Sequence, residues 1–157
     1  VYLLRDTDTV ALVYDFAGVQ EPAEFVLRPF IGLRDFHTLQ KSDAPLCSSW
    51  LGHSLLIRHD VPGSCELFLN CPSMNFEKDE QWWFNFAYRE EKQRGQDFTE
   101  DLWTPGFFKG RMDSPTRIVF WASLSSHVVR DASCEKKYTI RTTQYAIRYT
   151  QYEIIRR

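Results

Sequence analysis

The chain reads as an all-β domain, an antiparallel β-sandwich, on three observations. Apolar and polar residues alternate with a period of two through most of its length, aromatic residues are abundant, and no window carries a sustained apolar stripe at helical spacing. Twelve Phe, seven Tyr and five Trp make up 15% of the residues, and aromatic side chains suit the pleated, half-buried surface of a sheet. At 157 residues the chain is the size of one domain and long enough to enclose a hydrophobic core. Neither an internal repeat nor a low-complexity tract nor a linker interrupts it, so residues 1–157 are read as a single domain.

The alternation predicts the strands in order. Residues 9–19 form the first, closed by the turn-like Gln20-Glu21-Pro22. The pattern over 23–39 is too long for one flat strand, and Pro29 and Gly32 mark a bulge or break within it. Strands follow at 54–61, ending at Pro62-Gly63, at 65–70 and at 81–91. Residues 90–106 are polar, hold Gly95, Pro105 and Gly106, and predict a long ordered loop. The strand pattern resumes at 107–112 and 116–125, and a last alternating stretch covers 138–155. Seven or more strands without helices imply a sandwich or a barrel.

Charge and cysteine usage exclude several partner classes. Nineteen Lys and Arg against 21 Asp and Glu leave a formal net charge of −2. Nucleic-acid-binding domains usually carry a basic excess on one face, so no nucleic acid partner is expected. No long apolar run and no basic amphipathic helix points to a membrane, and without a signal peptide the chain is expected in the cytoplasm. Cys47, Cys65, Cys71 and Cys134 form no CxxC pair, and no histidine stands at zinc-ligand spacing from two of them. A domain this apolar does not need disulfide staples, so reduced thiols are expected. No Gly-rich phosphate loop, metal-ligand set or nucleophile elbow is present, and hence no cofactor is expected.

Three segments hold chemistry-bearing residues. If Leu33 to Leu39 is extended, Asp35 and His37 share one face, where the carboxylate could hold the imidazole in one tautomer; Arg34, Asp35 and His37 could equally be a satisfied polar network at a sheet edge. In the second, Trp82, Phe84, Phe86 and Tyr88 fall on the core parity, whereas Trp83 falls with Asn85, Ala87, Arg89 and Glu91. An indole among polar neighbours suits a sugar face, a domain interface or plain packing. The third runs from Glu91 through Arg94, Asp97, Glu100 and Asp101 to an exposed-looking Trp103. Its carboxylates could form an acid and base pair for glycoside hydrolysis or could bond sugar hydroxyls; alternatively Arg94 pairs with Asp97 or Glu100 and holds the loop in place. His53, His59 and His127 stand alone, without an acidic partner of obvious role.

These segments read Arg28-Pro29 and Arg34-Asp35-Phe36-His37, then Tyr88, Glu91, Arg94-Gly95, Asp97, Glu100-Asp101-Leu102 and Pro105-Gly106. In order and spacing they resemble the N-terminal domain of bacterial and archaeal glycogen-debranching enzymes, over approximately residues 9–125. The resemblance implies a galactose mutarotase-like supersandwich preceding a separate (α/α)6-type domain with amylo-α-1,6-glucosidase activity, which would hold the acid and base carboxylates. Residues 130–157 are not covered. A glycine-rich segment with a Tyr-His pair, common in the family, is not in this chain, which reads as beginning after it and as excised from something longer.

The leading expectation is therefore a noncatalytic accessory domain that contacts α-glucan and packs on the catalytic domain of its parent chain. Its candidate contacts are Arg34, Asp35, His37, Trp83, Tyr88, Glu91, Arg94, Asp97, Glu100, Asp101 and Trp103. A purely structural scaffold is one alternative. The other is an enzyme, a glycosidase or an aldose 1-epimerase, which would need His37 and a carboxylate to converge in an open pocket.

Overall fold

The computed structural model describes residues 1–4, 7–35 and 37–124. Among these, nine strands build two antiparallel sheets. The larger contains β1 (Tyr2–Leu3), β2 (Thr9–Asp15), β4 (Leu46–Leu51), β5 (Ser54–His59), β6 (Glu66–Asn70) and β9 (Arg117–Ser123), in the order β1-β2-β9-β6-β5-β4. The smaller contains β3 (Ala23–Leu27), β7 (Asn75–Ala87) and β8 (Thr99–Met112), in the order β3-β8-β7. One short helix, α1 (Arg89–Gln93), interrupts them.

The two sheets close on a shared core. Leu55, Ile57, Leu69, Ile118 and Phe120 from the larger sheet join Leu27, Trp103, Phe108 and Met112 from the smaller in one buried cluster. Phe76, Phe108 and Phe120 stack edge-on across the gap, with centroids 5.1 and 5.4 Å apart, a spacing favoured by the ring quadrupoles. The all-β, two-sheet architecture expected from the alternation is what forms, with apolar residues of each sheet turned inward.

Several boundaries differ from the expectation, each for a physical reason. The expected loop at 90–106 is instead α1, a turn, and the first half of β8, which is the central strand of its sheet. Glu100, Asp101, Thr104, Pro105 and Gly106 have the composition of a loop, yet all five are buried. The break expected within 23–39 falls just before Pro29, where β3 stops at Leu27, and beyond it the chain follows β8 by an isolated bridge between Ile31 and Trp103. The strand at 81–91 begins earlier, at Asn75, and gives way to α1. β1 and β4 were not anticipated. The alternating stretch at 138–155, His127 and Cys134 lie outside the described residues; Cys47, Cys65 and Cys71 are free thiols.

A bulge in β7 matters most for function. Trp82 pairs with Trp103 and Trp83 with Leu102, but the next pair is Phe86 with Glu100, so three steps on β7 match two on β8. Asn85 absorbs the extra residue in the left-handed region (φ 62°), where Asn is tolerated better than most residues. Trp103 is in the core and Trp82 packs against it, so their neighbours Leu102 and Trp83 point to the opposite, outer face. The bulge brings Phe86 to that same face. Phe84, expected in the core from its parity, is 60% exposed.

Candidate functional site

The outer face of the smaller sheet gathers residues from all three segments. Its centre is Glu100, a carboxylate only 1% exposed. Burying a charge is costly unless every lone pair finds a donor, and here four donors converge on it. Arg34 gives Nε and Nη2 in a two-pronged contact, the Tyr88 hydroxyl donates to Oε2, and the Gln40 amide donates to Oε1. The planar guanidinium fork suits a carboxylate in this way. Burial disfavours the Glu100 charge, but the bonds from Arg34, Tyr88 and Gln40 outweigh it and hold its carboxyl below the usual carboxylate range. Burial and the bond to Glu100 push the Tyr88 phenol up to about 12, and the bond to Glu100 raises Arg34 further.

This cluster fastens the chain that follows β3. Gln40 donates through Nε2 to the carbonyls of Ile31 and Asp101, and its own carbonyl accepts from the Asp101 amide. Asp101 in turn accepts from the amides of Ser42 and Asn85, which seats the β7 bulge as well. His59 of β5 bonds the Leu33 carbonyl and ties the same segment to the larger sheet. Gln40 carries no motif signal in the sequence, because its role is set by the fold around it.

Asp35 and His37 do not lie side by side along a strand, as extended geometry would require. The Thr38 amide and hydroxyl both donate to the Asp35 carbonyl, closing a turn, and the Asp35 carboxylate accepts from the His37 amide. Both residues are exposed on that turn. Arg94 pairs with Glu91 at 3.2 Å, not with Asp97 or Glu100 as expected. Helix α1 then stops in a Schellman arrangement: Gln96 N–H bonds the Glu91 carbonyl, Gly95 N–H bonds that of Lys92, and Gly95 takes φ 71°. Trp103, expected to be exposed, is 5% exposed within the core and presents no free indole face.

Gly106 explains the last motif pair. It sits at φ 143° where a Cβ would lie 2.1 Å from the Glu77 carbonyl oxygen, so the two strands approach too closely for a side chain.

Beside the charged cluster stands an aromatic group. Phe30 meets Trp83 edge-on at 4.9 Å and Phe86 at 5.5 Å between centroids. Trp83 is 44% exposed and Phe30 37%. Phe30 was not among the expected contacts, although it lies within the Arg28-Pro29-Phe30 run that pointed to this region. The candidate residues thus divide in two: Arg34, Tyr88, Glu100, Asp101 and Trp103 are consumed in internal bonds or burial, whereas Asp35, His37, Trp83, Glu91, Arg94 and Asp97 reach the surface.

Chemically, the buried group suits structure better than catalysis. A general acid or base must exchange a proton with a substrate within hydrogen-bond reach; Glu100 is enclosed and held ionised by four donors. Among the described residues no group of three or more His, Cys, Asp or Glu could hold a metal ion, and no helix is long and apolar enough to cross a membrane.

Comparison with known proteins agrees with the motif reading. The family model described as glycogen debranching enzyme N terminal matches residues 1–119. No curated protein and no solved structure matches the chain.

Proposed function

Because the chain belongs to the glycogen debranching enzyme N-terminal family, we propose that it is a noncatalytic accessory domain that contacts α-glucan and packs against a separate glucosidase domain. The observation that carries the glucan half is the Trp83–Phe30–Phe86 group on the outer face of the smaller sheet. A half-exposed indole braced edge-on by a second ring offers a rigid apolar surface to the C–H face of a glucose unit, while exposed Asp35, His37 and Asp97 supply polar partners for hydroxyls. Few groups are engaged, so binding is weak, near a Kd of about 1 mM, or about −4 kcal/mol.

The packing half is supported by a different surface. Trp50 and Leu51 at the end of β4 are 55% and 50% exposed, a pair of large apolar side chains that a neighbouring domain would cover. The acid and base carboxylates then belong to the glucosidase domain, in keeping with the enclosed state of Glu100. The setting proposed is cytoplasmic, which the free thiols of Cys47, Cys65 and Cys71 suit.

Isothermal titration with maltoheptaose tests the glucan half. The reading expects a weak saturable heat that Trp83→Ala removes while thermal unfolding stays nearly unchanged. No heat at tens of millimolar ligand would leave the domain a structural scaffold.

A further inference from the structure

We infer that Glu100 is a positioning residue: one buried carboxylate that holds two separate polar turns, Asp35–Thr38 and Glu91–Asp97, in fixed relation to each other. The two turns are far apart in sequence and come from different elements. On one side Arg34 reaches Glu100 and also donates through Nη1 to the Asp35 carbonyl, so the guanidinium grips both the carboxylate and the first turn. On the same side the Gln40 amide binds Glu100 just past the turn, so the turn is clamped before and after. On the other side Tyr88 donates its hydroxyl to Glu100. Tyr88 is also the residue at which α1 begins: its amide donates to the Phe98 carbonyl, and its own carbonyl accepts from Lys92. The helix and its Schellman turn are therefore anchored at both ends by the residue that touches Glu100.

The geometry has a directional consequence. Trp83 stands on β7 through ladder pairing with Leu102 and does not depend on Glu100 for its place. The two turns do. Loss of the Glu100 contacts frees their polar groups relative to each other while leaving the indole where it is. Resting on the glucan reading above, the inference adds that Glu100 sets affinity for chains long enough to reach from the aromatic group to the turns, and not for a disaccharide that covers the aromatic group alone. Preorganised polar groups lose less entropy on binding, so loosening them weakens long ligands selectively.

Two variants separate this from ordinary destabilisation. Glu100→Gln removes the charge, and Tyr88→Phe deletes one hydroxyl and keeps the ring, which preserves folding should the first variant fold poorly. Both are titrated with maltose and with maltoheptaose well below their melting temperatures, where loss of stability alone does not change Kd. The expected result is an affinity for maltoheptaose about tenfold weaker, of the order of one lost charged hydrogen bond, with maltose unchanged. Equal weakening of both ligands, or of neither, overturns the positioning role. Should Trp83→Ala bind as well as the unaltered chain, or the unaltered chain not bind at all, the glucan reading fails, and the linkage is judged by hydrogen exchange without ligand. In either variant the amides of Thr38, Gln40, Lys92 and Arg94 should then exchange faster together, with those of Leu55 to Ile57 in β5 unaffected. Acceleration on one side only, or on neither, contradicts the linkage.

Discussion

Two ion pairs, each with a carboxylate from the segment between Glu91 and Gly106, behave as opposites. Arg34 and Glu100 meet across 66 residues of sequence, and their carboxylate is buried. Arg94 and Glu91 sit three apart on a short helix, with side chains 67% and 39% exposed. The first pair organises the outer face of the smaller sheet, since its carboxylate also binds Tyr88 and Gln40. The second is one of many solvated pairs that add little. Nearness in sequence therefore says nothing about which charges carry weight; enclosure and the number of donors decide it.

The largest expected effect is at Glu100. Glu100→Ala leaves the Arg34 charge and the Tyr88 and Gln40 donors without their acceptor, and should cost about 3–5 kcal/mol in urea unfolding. A loss comparable to the surface pair would erase the contrast. The same carboxylate gives stability an acid limb. Its pKa is lowered by folding, so its contribution is complete above the ordinary carboxylate range and disappears as pH falls through the folded value. In Glu100→Gln that limb should flatten when unfolding is followed by circular dichroism against pH.

Next comes Tyr88→Phe, expected to cost about 1.5–3 kcal/mol because a buried charged acceptor loses one donor. Folding raises the phenol pKa to about 12, so the contribution is complete below the unfolded tyrosine value near 10 and is lost as pH rises through the folded value. Alkaline unfolding of the variant should lack that component. Gly95→Ala should cost about 1–2 kcal/mol, since the left-handed position after α1 penalises a Cβ. Smallest of all, Arg94→Ala should change stability by less than about 0.5 kcal/mol, and that little should vanish in 1 M salt.

Much of the fold was legible because alternation survives wherever strands are regular. β2, β5, β6 and β9 all fall within stretches read as strands, which run past the observed strand at one end for β2, β5 and β6 and at both ends for β9. The candidate region was legible as a set of segments, since the spacing from Arg28 to His37 and from Tyr88 to Gly106 pointed to one family. What failed was orientation. Parity assigned Phe84 to the core and Phe86 opposite Trp83, but the bulge at Asn85 inserts a residue and puts Trp83 and Phe86 on one face. Polarity assigned Glu100 to Gly106 to a loop, because Glu, Asp, Thr, Pro and Gly are loop residues unless partners distant in sequence enclose them. For Glu100 and Asp101, Arg34 and Gln40 supply those partners, and neither is visible from within the segment. Trp103 shows the same limit: it stands in an acidic stretch that ends in Pro and Gly, yet its own side faces the core.

The division between a consumed interior and an available surface can be read in one spectrum. The chain has five tryptophans, and each indole N–H gives its own proton–nitrogen resonance. The account predicts that adding maltoheptaose shifts the Trp83 indole signal progressively and saturably while that of buried Trp103 stays fixed. A Trp103 signal that moves while Trp83 stays still would contradict it.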